Sequence, residues 1–356
     1  MTSSSPLEPK SLTKLEFEDD EQILNYHDAL IYGSDLRLFE TRTEWLNDSC
    51  IHFVFCLLQQ ERQEKRGNPP SPSFLFMDPS VVSFWMHQCV DPDEIEDFVA
   101  NTNFPGRVPG TQTNNDSSES GGLIFVAVND TMSTSSCHSS ANSWRTPNSG
   151  SHWSLLVAEV FVGDGLREHD CSNSKDSTDN RSDGVSASTA ATSTIELSFW
   201  HFDSIRNSGN MQAAEDIARK MRMNVYPGAR VVTEQRTRTQ NPTGSPADAT
   251  GAQLVRAAET PQQQNGYDCG VHVLGSARIV AARYHGRCHS ASPETKTPVG
   301  LSKKQRPSTT RCTLEELEDF LREEIGKKNN SQEFCAKLRA ETSFEIRKIA
   351  FTRKER

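Results

Sequence analysis

Gln263-Gln264-Asn265-Gly266-Tyr267-Asp268-Cys269-Gly270 is a polar, turn-rich stretch that ends on a cysteine. An apolar run follows at once: Val271, Val273, Leu274, Ala277, Ile279, Val280, Ala281. The 273/274/277/280/281 spacing predicts a helix, with Cys269 at or just before its N-terminus. Unpaired backbone N–H groups and the positive end of the helix dipole favour a thiolate there. A free cysteine is more commonly a small, inert core residue, so the neighbouring segments decide between the two readings.

Working back from this stretch, two apolar runs predict strands that end in polar residues. His152-Trp153-Ser154-Leu155-Leu156-Val157-Ala158-Glu159-Val160 places a histidine at a strand start, and Ile195 to Phe202 runs into Asp203-Ser204. Leu123 to Val128 is continuously apolar, the pattern of a strand buried on both faces, and it ends in Asn129-Asp130. Phe74 to Met77 and Ala229 to Val232 read as shorter strands. Ile51, Val54, Phe55 and Leu58 predict an amphipathic helix to about Arg62, with Asn47, Asp48 and Ser49 all suited to cap it. Val81–Cys89 and Met211–Met223 read as further helices. Thr313 and Glu316 form a capping box for a helix to Ile325, and the basic tail is helical in pattern.

The 356 residues are 34% hydrophobic and carry a net charge of −10. That composition predicts one packed core with polar insertions at about 101–122, 131–149, 163–194 and 236–252. The expected organisation is a flexible acidic tail over 1–22, a catalytic domain over 23–286, a linker over 287–311, and a helical basic segment over 312–356. The acidic balance argues against nucleic acid as a partner. Nine cysteines form no CxxC pair and no disulfide pattern, which argues against structural zinc. No stretch has the ~20 apolar residues of a membrane span. A monomer of the cytoplasm or nucleus, with no cofactor, is the expectation.

His152, Asp203 and Cys269 in that chain order supply a base, an orienting acceptor and a nucleophile. Gln263, six residues before the cysteine, can offer a side-chain N–H to an oxyanion, beside the Cys269 backbone N–H. Each also has a plainer role: a strand-end histidine, a turn-forming aspartate, a solvated glutamine.

Four segments, Trp45-Leu46-Asn47-Asp48, Gly150-Ser151-His152-Trp153-Ser154-Leu155-Leu156-Val157, Phe202-Asp203-Ser204 and Gln263 to Gly270, resemble the motifs of the Ulp-type, or sentrin-specific, cysteine proteases, in the family's order. The resemblance spans roughly residues 25–285 apart from the insertions. It implies an α+β papain-like fold with a central mixed sheet flanked by helices. It implies cleavage after the C-terminal Gly-Gly of a ubiquitin-like modifier, with His152 as base, Asp203 as its orienter, Cys269 as nucleophile and Gln263 as oxyanion donor. Within the family, His-Trp-Ser-Leu-Leu-Val, Val128-Asn129-Asp130 and the Gln-Gln-Asn-x-Tyr-Asp-Cys-Gly string look most like the deneddylase branch, which acts on the cullin modifier.

A glycine tail has no side chains to read, so selectivity needs a narrow cleft with flat aromatic walls. Trp153 and Trp45 suit that. Asp48 can pair with a basic residue upstream of the glycines, and Asn129 or Asp130 can hold tail backbone. Rival readings are a SUMO-specific protease, an acetyltransferase, and a catalytically silent modifier-binding module.

Overall fold

The computed structural model describes residues 16–64, 73–107, 121–133, 152–163, 194–206, 208–232, 253–290, 314–326 and 331–354, with residues 285–290, 326 and 354 traced by backbone alone. Residues 108–120, 134–149, 164–193 and 236–252 of the expected insertions lie outside them, as do 291–311 of the expected linker and the expected cap Thr313.

The described chain opens with a hairpin, β1 (Gln22–Tyr26) and β2 (Ala29–Tyr32), joined by two residues. Both, His27 and Asp28, have positive φ (47° and 69°), as a tight hairpin turn matching the strand twist requires. Helices α1 (Gly33–Glu40) and α2 (Asp48–Glu64) follow. The periodic residues Ile51, Val54, Phe55 and Leu58 are all buried on α2. Asn47 is the side chain that caps it, accepting from the Cys50 N–H at 2.9 Å.

The core is a six-stranded mixed sheet. Its strands are β3 (Ser73–Met77), β4 (Gly122–Asn129), β5 (Trp153–Gly163), β6 (Thr194–Phe202), β7 (Arg230–Val231) and β8 (Val255–Ala258). β3 runs parallel to β4, and β4, β5 and β6 are successively antiparallel. β7 and β8 both add parallel to the free edge of β6, at Glu196–Leu197 and Phe199–Phe202 respectively. Every residue of β4 is buried, so helices cover both faces, as the continuous apolar run requires. Each such Leu, Ile, Val or Phe contributes about 1.5–3 kcal/mol through burial.

Between the strands lie α3 (Pro79–His87), α4 (Pro92–Asn101) and α5 (Asn210–Lys220), the last continuing in a π-helical turn, Met221–Val225. Helix α6 (Cys269–Ser290) packs on β4 and β5 and beside α2. Two elements do not follow the expected outline. β8 (Val255–Ala258) lies between the expected insertion at 236–252 and the cysteine stretch, where the sequence reading names no element. Residues 101–107 are anchored rather than extruded: Phe104 is 3% exposed, and the Tyr226 hydroxyl donates to the Pro105 carbonyl at 2.6 Å. Glu16–Glu21, within the expected tail, also engage the fold, with Phe17 packed on the core and the Gly33 N–H donating to the Glu21 carbonyl.

Helices α7 (Leu314–Leu321, continuing in a π-helical turn to Gly326) and α8 (Ser331–Lys354) complete the described chain. Leu314, Leu317, Leu321, Leu338 and Ile346 are buried in the common core. α7 and α8 both pack on α6, and α8 also meets α1 and β1. The basic C-terminal segment therefore shares the core of the catalytic region. Among the described residues, no helix is long and apolar enough to cross a membrane.

Candidate active site

The sheet register assembles the site. β5 and β6 pair with Leu155 opposite Phe202, so the start of β5 lies beside the end of β6. His152 immediately precedes β5 and Asp203 immediately follows β6. Their side chains meet, with His152 Nε2 2.7 Å from Asp203 Oδ1. Cys269 opens α6, the position its sequence context predicts.

Asp203 is held from several sides. Its Oδ1 also accepts the Ile205 N–H at 2.9 Å, and its Oδ2 accepts from the Ser208 hydroxyl. Burial alone would raise this carboxyl, but the hydrogen bonds from His152, Ser208 and Ile205 outweigh it and hold the group below its ordinary 3.8. The Asp203 backbone carbonyl accepts from Thr260 and Gln262 side chains, which fastens the strand end to the loop leading to the cysteine.

His152 is 6% exposed. Burial pulls its pKa down, yet hydrogen bonding and charge from Asp203 and Cys269 reverse the shift and raise it to about 9. Nε2 is committed to Asp203, and Nδ1 is buried with no hydrogen-bond partner among the described residues. Nδ1 is therefore the ring nitrogen left to serve the sulfur. An imidazolium beside a thiol at a helix N-terminus is the setting in which a cysteine becomes a nucleophile at neutral pH.

Burial pushes the other described thiols up, Cys50, Cys89 and Cys335 above their ordinary value and Cys56 to about 12. All five described cysteines are free.

Gln263 lies in the same loop, its backbone N–H donating to the Ser204 carbonyl at 3.0 Å. Its Oε1 accepts from the Ser204 hydroxyl at 2.7 Å and its Nε2 donates to the Asn265 carbonyl at 2.6 Å. One of its two side-chain N–H bonds is thus used within the loop, and the second is the one left for a ligand.

Trp153 is 4% exposed, and its indole N–H donates to the Leu46 carbonyl at 3.1 Å. It lines a small pocket with Cys269, Phe202, Ser204, Thr260 and His272. Trp45 is 40% exposed. Asp48 is the first residue of α2 rather than its cap, and it accepts from the Ser80 hydroxyl at 3.0 Å. Asn129 pairs with Trp153 in the sheet and is 1% exposed. Its Oδ1 accepts from the Thr131 N–H and hydroxyl, closing the turn that begins at Asp130, while its Nδ2 has no partner among the described residues. The structure thus gathers His152, Asp203, Cys269, Gln263 and Trp153 at one end of the sheet, with Asn129 beside Trp153.

Sequence reading missed the supports. Asn210, Ser208, Thr260 and Arg339 all hold the site through hydrogen bonds. The Ser208-Gly209-Asn210 run just before a periodic helix is the signal that marks the first two; nothing in the local pattern marks Arg339. Among the described residues, no group of three or more His, Cys, Asp or Glu is placed to hold a metal ion.

The model of the Ulp1 protease family, C-terminal catalytic domain, matches residues 44–287. This chain belongs to the Ulp1 protease family. Its members' chemistry makes it a cysteine-type peptidase, which agrees with a cysteine, histidine and aspartate brought to one sheet end. Similar curated proteins include NEDD8-specific protease 1 of Arabidopsis thaliana, 23% identical over 74% of this chain and 76% of that protein. Sentrin-specific protease 8 of Rattus norvegicus is 23% identical over 80% of this chain and 91% of that protein. Among solved structures, a de-sumoylating protease matches at 13% identity with a TM-score of 0.43, covering 92% of this chain and 90% of that one. The family match ends in α6, so α7 and α8 lie beyond it.

Proposed function

We propose that this Ulp1-family peptidase cleaves after the C-terminal Gly-Gly of a ubiquitin-like modifier, and that the modifier is of the NEDD8 type carried by cullins. The observation that carries the catalytic part is the 2.7 Å pairing of His152 Nε2 with Asp203, which leaves Nδ1 for Cys269. The modifier class is supported by the relatives that cover most of this chain, a NEDD8-specific protease and sentrin-specific protease 8.

In this reading the Cys269 thiolate attacks the carbonyl carbon of the modifier's last glycine. Backbone N–H groups at the start of α6 and the second N–H of Gln263 receive the oxyanion. The imidazolium of His152, held by Asp203, gives its proton to the departing amine as the C–N bond breaks. Water then attacks the thioester with His152 taking its proton, and the thiolate leaves.

The substrate contacts belong to the same reading. Trp153 is pinned at its indole N–H and shares the pocket with Cys269, so it forms a fixed wall against glycine backbone. Trp45 supplies an exposed aromatic face one residue before Leu46. Asn129, whose Nδ2 has no partner among the described residues, or Asp130 holds tail backbone, and Asp48 pairs with a basic residue upstream of the glycines.

The test is a panel of modifiers, each carrying a C-terminal electrophile, incubated with the full chain and followed by peptide mass spectrometry. A NEDD8-type probe should label Cys269 faster than a SUMO or ubiquitin probe. Preferential labelling by SUMO reassigns the modifier, and labelling by none, with intact fold, removes the protease reading of this site.

A further inference from the structure

Arg339 projects from α8, outside the family-matched stretch, and is 2% exposed. Its guanidinium reaches the residue immediately before the nucleophile, with Nη2 3.0 Å and Nε 3.3 Å from Asp268 Oδ1. Nη2 also donates to the carbonyls of Glu44 at 2.8 Å and Tyr267 at 3.4 Å, and Nη1 to that of Leu38 at 2.6 Å. We propose that Arg339 is a positioning residue for Cys269: it fixes the turn that presents the sulfur and neutralises the carboxylate next to it.

The turn itself shows how this works. Asn265 Oδ1 accepts the N–H groups of Tyr267 and Asp268, and its Nδ2 donates to Asp268 Oδ2 at 2.8 Å. The Asp268 carbonyl accepts the His272 N–H, the first bond of α6. Asp268 is therefore the hinge between loop and helix, and both its carboxylate oxygens are held, one by the loop and one by Arg339. The same guanidinium grips the segment from Leu38 to Glu44, which leads into Trp45 and Leu46. The Leu46 carbonyl anchors Trp153. One side chain thus couples the nucleophile's turn to the aromatic wall facing it.

α8 is built to deliver this contact. A methyl on Gly275 of α6 would lie 2.6 Å from the Phe334 ring, so glycine there permits the helices to approach. Arg347 fastens α8 to α1 through Glu40 at 2.7 Å.

The charge consequence is specific. A carboxylate one residue from a thiolate disfavours it, and a guanidinium on that carboxylate removes the penalty. The other groups that face this pair are His152 from the start of β5, Asp203 from the end of β6, and His272 on α6. Cys335 on α8 meets Asp268 and Arg339, and Cys50 on α2 meets both Arg339 and Asp35 of α1. His272 is held neutral by burial, and burial keeps Cys335 and Cys50 protonated. The Asp35 carboxylate is taken up by the Tyr32 N–H and the Asn47 amide. Asp268, next in the chain to Cys269, and its partner Arg339 are therefore the charges added to the His152–Asp203 pair.

The experiment uses the full chain with Arg339→Gln, Asp268→Asn and the double variant. Iodoacetamide alkylation of Cys269 is followed across pH by mass spectrometry of its peptide, with thermal unfolding alongside. This readout needs no modifier, so it stands even where the substrate reading of the previous section fails. Arg339→Gln should move the alkylation midpoint up by about one pH unit, Asp268→Asn should move it down, and the double variant should return it toward the parent. Turnover of a reactive modifier substrate should fall at least about tenfold in kcat for Arg339→Gln, with KM within about twofold. Coincident alkylation profiles in folded variants, with only the thermal midpoint lowered, overturn the proposal. Should Arg339→Gln not fold, an unmoved midpoint in Asp268→Asn overturns it alone.

Discussion

The side-chain amide of Asn210 lies 3.1 Å from the backbone carbonyl of His152, so the candidate base is gripped through its main chain as well as its ring. Asn210 is fully buried at the start of α5. The same Nδ2 reaches Ser154 Oγ at 2.9 Å and the Val128 carbonyl at 3.3 Å. Its two hydrogens thus span the end of β4 and the start of β5. His152 stands outside the ladder of β5, where no strand partner fixes it, and Asn210 takes that role.

Asn210→Ala therefore removes the donor and leaves buried carbonyls without one. We expect a loss of about 1–3 kcal/mol in unfolding free energy. We also expect a fall in kcat larger than the loss of folded protein explains. Denaturant unfolding and kcat normalised to alkylatable Cys269 measure the two separately. A kcat per active site equal to the parent's would show that the ring of His152 keeps its place without this anchor.

Asp203→Asn tests the raised pKa of His152. Burial acts on this imidazole in the downward direction, and Asp203 heads the interactions that reverse it to about 9. Without the carboxylate, burial wins and the ring turns neutral at lower pH. The thiolate then loses its cationic partner, and kcat/KM should fall by about 10²–10⁴. The parent's stability carries the matching signs. His152 folds with a raised pKa, so its contribution is full below about 6.5 and fades as pH rises through about 9. Asp203 folds with a depressed pKa, so its contribution is present above 3.8 and fades as pH falls. Thermal unfolding of parent and variant between pH 5 and 10 should therefore converge at the alkaline end. A constant gap across that range would mean that the pair is not ionised as described.

Much of this site is legible from residue order alone, because a short helix start and two strand ends are local patterns. The 273/274/277/280/281 spacing puts Cys269 at the start of α6, and apolar runs ending at His152 and Asp203 put both at strand ends. What pairs them is the β5–β6 register, and that register is set across a connection of about thirty residues, which no local pattern specifies. Asp48 shows the limit of capping rules: three consecutive residues suit the role, and only packing selects Asn47. β8 was obscured for a related reason. Val255-Arg256-Ala257-Ala258 has little β-character of its own and is a strand because the edge of β6 offers it partners. Arg339 is further still from view, since a basic residue on an amphipathic helix reads as solvated until the tertiary fold buries it.

His272 predicts an acid weakness. It is 5% exposed, its Nε2 has no partner among the described residues, and burial lowers its pKa to about 4. His201 is likewise lowered by burial to about 4, with Nε2 2.8 Å from Ser154 Oγ. The unfolded chain takes up protons at these rings near 6.5, while the folded one resists until about 4, so stability falls as pH drops through that window. His272→Met fills the same space without a titrating group. The variant should lose less of its thermal midpoint than the parent between pH 7 and pH 5. Parallel curves would place the acid sensitivity in other groups.

Gly270 follows the nucleophile, and a methyl built there would lie 3.0 Å from Leu46 Cβ. That spacing is tighter than ordinary contact, so Gly270→Ala must push Leu46 away. Leu46 is buried at 2% exposure and cannot yield into solvent. Its carbonyl is also the acceptor for the Trp153 indole N–H, so the displacement passes to the aromatic wall beside Cys269. Overpacking of this kind costs about 1–3 kcal/mol, and thermal unfolding should show it. The functional signature should differ from that of Asp203→Asn. His152 and Asp203 keep their contact, so the pH dependence of Cys269 alkylation should match the parent. KM for a Gly-Gly-ended modifier substrate should rise, because the wall that confines the glycines has moved. A changed alkylation profile with unchanged KM would instead mean that Gly270 serves the geometry of the sulfur and that Leu46 is no part of the tail's cleft.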